Sequence, residues 1–94
     1  MKNNLYCIYN KLSQRYGDCY CFASDALAVR RLPMAPMYKG VIDEIEICRV
    51  ASIDIETGLV TSEAPVRIAI PDDILAACEP APVASVPVDQ QSNS

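Results

Sequence analysis

The chain has no histidine and no tryptophan, one phenylalanine, and three glycines that never stand near one another. Without histidine there is no Ser-His-Asp or Cys-His pairing for nucleophilic catalysis and no imidazole ligand for zinc. Isolated glycines exclude a Walker-type phosphate loop and a dinucleotide-binding GxGxxG turn. No apolar run approaches the roughly 20 residues of a membrane-spanning helix. The opening Met1-Lys2-Asn3-Asn4-Leu5-Tyr6 lacks the apolar h-region of a secretory signal. These absences lead us to expect no enzyme, cofactor, metal centre or membrane segment.

Five cysteines, Cys7, Cys19, Cys21, Cys48 and Cys78, are an odd number at spacings that match no disulfide framework. They read as free thiols in a reducing compartment, most of them acting as small hydrophobes. Cys19-x-Cys21 is not the C-x-x-C spacing of a redox or zinc motif. Asp72-Asp73 at a helix start is accounted for by the helix dipole.

What the chain does have is unevenly placed. The segment from Leu5 to Arg31 holds five of the six aromatics, Tyr6, Tyr9, Tyr16, Tyr20 and Phe22, together with Lys11, Arg15, Arg30 and Arg31. Residues 1–40 carry six cations against two acids, a net of +4, and residues 41–94 carry two cations against ten acids, a net of −8. Rings beside cations suit single-stranded nucleic acid, which stacks bases on aromatics and is tracked along its phosphates by Lys and Arg. The competing explanation is that the tyrosines are core residues and that the two oppositely charged halves attract each other, within one chain or across a homodimer.

Period-two patterning gives a strand at Leu5–Tyr9 with both faces apolar, as a central strand requires. Asn10–Asp18 reads as a polar loop containing Tyr16. Cys19–Ala23 reads as a second strand, antiparallel to the first. Ser24 offers a helix N-cap, and Asp25–Leu32 fits a short helix stopped by Pro33, with Ala28, Val29 and Leu32 on its inner side. Pro33–Gly40 is a loop. Val41–Ile53 is extended, and its alternation slips after Ile47, the mark of a bulge. Asp54–Gly58 is a turn leading to a partner strand from Leu59, which Ala64-Pro65 interrupts. Pro71–Glu79 suits a second short helix. The sum is one α+β domain over 1–79, a small antiparallel sheet in the order β-β-α-β-β with a short C-terminal helix, followed by a disordered Pro/Ala/Ser/Gln tail over 80–94.

Three segments resemble a known family. Leu5-Tyr6-Cys7-Ile8-Tyr9-Asn10-Lys11 with Tyr16-Gly17, then Ser24-Asp25-Ala26-Leu27-Ala28-Val29-Arg30, then Ala51-Ser52-Ile53-Asp54-Ile55-Glu56-Thr57-Gly58 resemble, in order and spacing, the opening strand, helix start and hairpin of the small nonstructural protein of gokushovirus-type microviruses, which are single-stranded-DNA phages. Ala51 and Ile53 stand where that family has glycine and phenylalanine. The resemblance implies a phage nonstructural protein of the host cytoplasm. Such a protein binds single-stranded DNA without strong sequence preference and assists the switch to single-strand genome production and packaging. The expected nucleic-acid contacts are Lys11, Arg15, Tyr16, Arg30 and Arg31, with Tyr9 and Tyr20. The alternative is a protein–protein adaptor or homodimer that contacts a phage replication or capsid protein without touching DNA.

Overall fold

The computed structural model describes residues 1–78, and the tail expected over 80–94 lies outside the described residues. The elements follow the order β1 (Lys2–Asn10), β2 (Arg15–Phe22), α1 (Asp25–Arg31), β3 (Ile45–Asp54), β4 (Val60–Ile68) and α2 (Asp72–Cys78). The four strands form one antiparallel sheet in the order β2-β1-β3-β4. This is the expected α+β arrangement. The first strand is central, as its two apolar faces require.

Alternation along β1 divides the sheet. Tyr6 and Ile8 join Ile45 and Ile47 on the side covered by α1, where Ala28, Val29 and Leu32 pack down with Tyr38 and Ile42. Leu5, Cys7 and Tyr9 point the other way by the period of two. The Pro33–Gly40 segment is more ordered than a loop: Leu32–Met34 and Pro36–Tyr38 form consecutive 3-10 turns that place Tyr38 in the core. A third such turn at Ile42–Glu44 takes up what composition reads as the start of β3.

The slip in alternation is a real bulge. Leu5 pairs with Ala51 and Tyr6 with Arg49, so Val50 is the extra residue. On the other side of β3, Arg49 pairs with Val66 and Ala51 with Ser62, leaving Glu63, Ala64 and Pro65 out of register. Pro65, which has no N–H to donate, thus sits at an irregular point of an edge strand. β4 continues through this interruption rather than stopping at it.

The two hairpin turns solve one problem in the same way. The Asn10 side-chain oxygen accepts from the Leu12 and Ser13 amides at 2.9 Å each, and the Gln14 amide returns to the Asn10 carbonyl at 2.8 Å. The Asp54 carboxylate accepts from Glu56 and Thr57 at 2.9 and 3.4 Å, and the Gly58 amide returns to the Asp54 carbonyl at 2.7 Å. The closing residue is left-handed in both, Gln14 at φ 58° and Gly58 at φ 77°. The first turn is shorter than the polar composition of Asn10–Asp18 predicts, because Arg15–Asp18 already belong to β2.

A Cβ at Gly58 would meet nothing within 4 Å, so its left-handed φ alone sets the cost of substitution. Gly58→Ala is expected to lower stability by about 1 kcal/mol, and Gln14→Gly to raise it by up to about 1 kcal/mol. Urea unfolding of the two variants beside wild type reads both signs.

Candidate functional site

The structure divides the cations and rings into three places. Around the β1–β2 turn, Tyr9 and Tyr16 face each other across the strand pair, their ring centroids 4.9 Å apart and their planes tilted by 56°. Tyr16 is 51% exposed. It lies on strand β2 rather than in a loop, so its ring direction is fixed by the pleat. Lys11 in the turn and Arg15 at the start of β2 are exposed at this end of the sheet. Arg15 stands opposite Asn10 and therefore projects to the helix side of the edge strand, where Asp18 and Glu44 line the same groove. Neither lies within ion-pair distance of a carboxylate among the described residues.

Arg30 and Arg31 are exposed on α1, the layer on the opposite side of the sheet. Arg30 Nη1 lies 3.5 Å from Asp73 Oδ2 of α2. Tyr20 belongs to neither group. It packs against the core, and its hydroxyl lies 3.0 Å from the Tyr38 hydroxyl and 3.4 Å from Met37 Sδ. Burial first, then the Tyr20 hydrogen bond, pushes the Tyr38 phenol well up. Tyr20 is therefore a packed and bonded ring, and Arg30 and Arg31 do not converge with the hairpin cations.

The uncovered sheet face next to the tyrosine pair carries the sulfur. Cys7 pairs with Cys19 on one side and with Cys48 on the other. Cys7 and Cys48 are buried, whereas Cys19 and Cys21 are exposed. The expectation that the thiols act as core hydrophobes thus holds for two of these four, and those two lie across the sheet from the main core. The Tyr16 phenol is raised, first by partial desolvation and then by the nearby Cys48, Tyr9 and Glu46.

A second polar constellation, which composition does not reveal, lies where α1 begins. The Tyr6 hydroxyl donates to Asp25 Oδ1 at 2.6 Å and accepts from Asn4 Nδ2 at 3.1 Å. Arg49 Nη1 donates to Asp25 Oδ2 at 2.6 Å, and Arg49 Nε donates to Glu63 Oε2 at 3.1 Å. The Arg49 guanidinium is held more strongly protonated, first by the Glu63 hydrogen bond and then by Asp25. Every group here has a partner, and the carboxylate that could act as a base is held by a phenol and a guanidinium. The constellation joins elements and offers no free acid or base. Its only sequence signal is that Arg49 is one of two cations in a strongly acidic half. No group of three or more Cys, Asp or Glu among the described residues is arranged to hold a metal ion, and no described helix is long and apolar enough to cross a membrane.

Burial, and after it the Asp25 hydrogen bond, push the Tyr6 phenol from 10.0 up to about 12. The unfolded chain therefore releases this proton first as the pH rises. The resulting stabilisation is complete below pH 10.0 and is lost towards about pH 12, a loss of roughly 2–3 kcal/mol. Tyr6→Phe is expected to cost roughly 1–3 kcal/mol at neutral pH, since Asp25 loses a donor, and to flatten the alkaline fall. Denaturation midpoints measured across the alkaline range check this; identical slopes in the two proteins would contradict it.

Searches against protein-family profiles, curated proteins and solved structures find no match to the chain, so the site is read from its own geometry.

Proposed function

We propose that the β1–β2 end of the uncovered sheet face binds single-stranded DNA without strong sequence preference. The observation that carries this reading is the half-exposed Tyr16 ring beside Tyr9, with Lys11 and Arg15 free of acidic partners among the described residues. A base stacks on an exposed tyrosine whatever its identity, and two unneutralised cations at the same end attract the phosphates on either side. The contact set is Tyr9, Lys11, Arg15 and Tyr16, a subset of the residues singled out by composition. The resemblance to the gokushovirus-type nonstructural protein supports the wider role. In that role the chain is a phage protein that works in the host cytoplasm and assists the shift to single-strand genome production and packaging.

A second reading is favoured by a different observation. The sheet is covered by helices on one side only, and Leu5, Cys7, Cys48 and Ala51 share the other side, where Cys7, Cys48 and Ala51 are buried among their neighbours and Leu5 is half-buried. A homodimer or an adaptor to a replication or capsid protein would use this face. The two readings separate in solution. Under the first, Tyr16→Ala weakens binding by roughly 1–3 kcal/mol and leaves the mass in solution unchanged. Under the second, substitutions on this face change the mass.

Fluorescence polarisation with a labelled single-stranded oligonucleotide at several salt concentrations is the decisive measurement. Affinity should fall with salt by roughly 0.7 log units per log unit of salt for each phosphate contacted, and Arg15→Glu should reduce that slope by about one such step. Arg31→Glu, on the helix layer, should weaken binding less than Arg15→Glu. No binding at low salt, or an affinity indifferent to salt, would sink the DNA reading.

A further inference from the structure

The cysteine row has no part in the proposed DNA contacts, and its register is unusual. Cys48, Cys7 and Cys19 stand directly opposite one another on three neighbouring strands. Directly opposed residues of an antiparallel pair have Cα atoms about 4.5 or 5.5 Å apart, depending on the hydrogen-bonding phase. Both values fall inside the roughly 4.4–6.8 Å span of a disulfide. Other pairings are worse placed. Cys19 and Cys48 are two strands apart, about 10 Å. Cys21 stands opposite Leu5 and only diagonal to Cys7, about 7–8 Å away. Cys78 is on the helix side, its thiol donating to the Pro33 carbonyl at 3.3 Å. Cys7 is thus the one thiol with an in-register partner on each side.

Exposure divides the labour between them. Cys19 is open to solvent, and Cys7 and Cys48 are buried. Burial, and after it the adjacent Cys19 thiol, push Cys7 up to about 11. Cys7 is thereby kept protonated at neutral pH and is a poor first target, since the thiolate is the reactive form. A solvent oxidant therefore meets Cys19 first, with Cys7 already held against it.

We propose that Cys7 and Cys19 are a peroxide-reactive pair that closes to a reversible cross-strand disulfide, Cys19 being the sulfur attacked by peroxide and Cys7 the resolving sulfur. In the first step the Cys19 thiolate attacks one oxygen of hydrogen peroxide. The O–O bond breaks, hydroxide leaves and is protonated to water, and Cys19 becomes a sulfenic acid. In the second step Cys7 Sγ attacks the Cys19 sulfur. The S–S bond forms, the S–O bond breaks, and the departing hydroxide takes the Cys7 proton to give a second water. Two thiols lose two electrons in all, and the peroxide is reduced to two waters. An external dithiol reverses the reaction by exchange. The same register lets Cys48 displace Cys19 from the Cys7 sulfur, an exchange with no net oxidation.

The test uses the reduced full chain treated with one equivalent of hydrogen peroxide. Free thiols are counted, the intact mass is measured, and peptides are mapped after cleavage at Lys11, Arg15 and Tyr20. The cut after Tyr20 separates Cys19 from Cys21. The expected result is a monomer that has lost two thiols and the mass of two hydrogens, with the Cys7 fragment 7–9, released by the same cleavage after Tyr6 and Tyr9, joined to a peptide containing Cys19 or, after exchange, Cys48. Cys21→Ser should behave as wild type. Cys19→Ser should lose the cross-link. Cys7→Ser should leave a Cys19 sulfenic acid that a dimedone probe captures. All of these read out without any folding transition. Disulfide-linked dimers as the main product would overturn the proposal, as would a main cross-link through Cys21 or oxidation of Cys19 to the sulfinic acid with Cys7 still a free thiol.

Discussion

The Asp25 carboxylate is the point on which the architecture turns. One oxygen takes the Tyr6 phenol of the central strand and the other takes the Arg49 guanidinium of β3, each at 2.6 Å, and Arg49 continues to Glu63 of β4. Strands β1, β3 and β4 and helix α1 are tied together by one chain of charge-assisted hydrogen bonds. Such bonds are about twice as strong as neutral ones. The helix itself is only seven residues long, too short to be stable on propensity alone. Its start is fixed twice: Ser24 Oγ accepts from the Leu27 amide at 3.3 Å, and Asp25 anchors the first turn to the sheet. From that anchor Ala28, Val29 and Leu32 drop onto Tyr6, Ile8 and Ile47.

Arg49 takes part by the ordinary alternation of β3, since it shares the helix-side face with Ile45 and Ile47, and the bulge at Val50 follows it. In an unbroken strand Arg49 and Ala51 would share a face, because side chains alternate with period two. One extra residue reverses the parity, so Arg49 stands opposite Tyr6 on the helix side and Ala51 stands opposite Leu5 on the other. The inserted residue thus leaves Arg49 on the helix side with Ile47 and turns Ala51 to the face of Leu5 and Cys7, which is the irregularity seen in the hydrophobic pattern.

This also explains what was legible in the residue order. The central position of β1, the Ser24 cap, the inner face of α1, the Asp54–Gly58 turn and the existence of the bulge all rest on local periodicity or on one side chain bonding to nearby backbone. Those are short-range properties, and a linear reading captures them. The beginning of β2 was hidden because Arg15 and Asp18 are charged and Gly17 reads as a turn residue, and an edge strand with one uncovered face tolerates such residues. The 3-10 turns after α1 were hidden behind two prolines that read equally well as open loop. Tyr20 illustrates the limit for the site. Its place on β2 was readable, but its hydrogen bond to Tyr38 depends on a partner 18 residues away in a segment of no clear pattern.

The charge asymmetry of the chain has a structural outcome that bears on function. Asp73 pairs with Arg30, Asp25 and Glu63 with Arg49, and Glu46 with Arg67 at 3.0 Å. Three acids of the second half, Asp73, Glu63 and Glu46, thus pair with cations of α1, β3 and β4. They do not neutralise Lys11 or Arg15 at the β1–β2 end. Lys11 and Arg15 thus have no carboxylate within ion-pair distance among the described residues, although Glu46 stands opposite Tyr9 at the same end. That end is also where the Tyr9–Tyr16 pair stands uncovered. A fold concerned only with stability would gain by covering those rings. The exposure of Tyr16 at the end that also carries Lys11 and Arg15 is the feature that the packing of the rest of the molecule leaves unexplained, and it is the one on which the proposed single-strand contact rests.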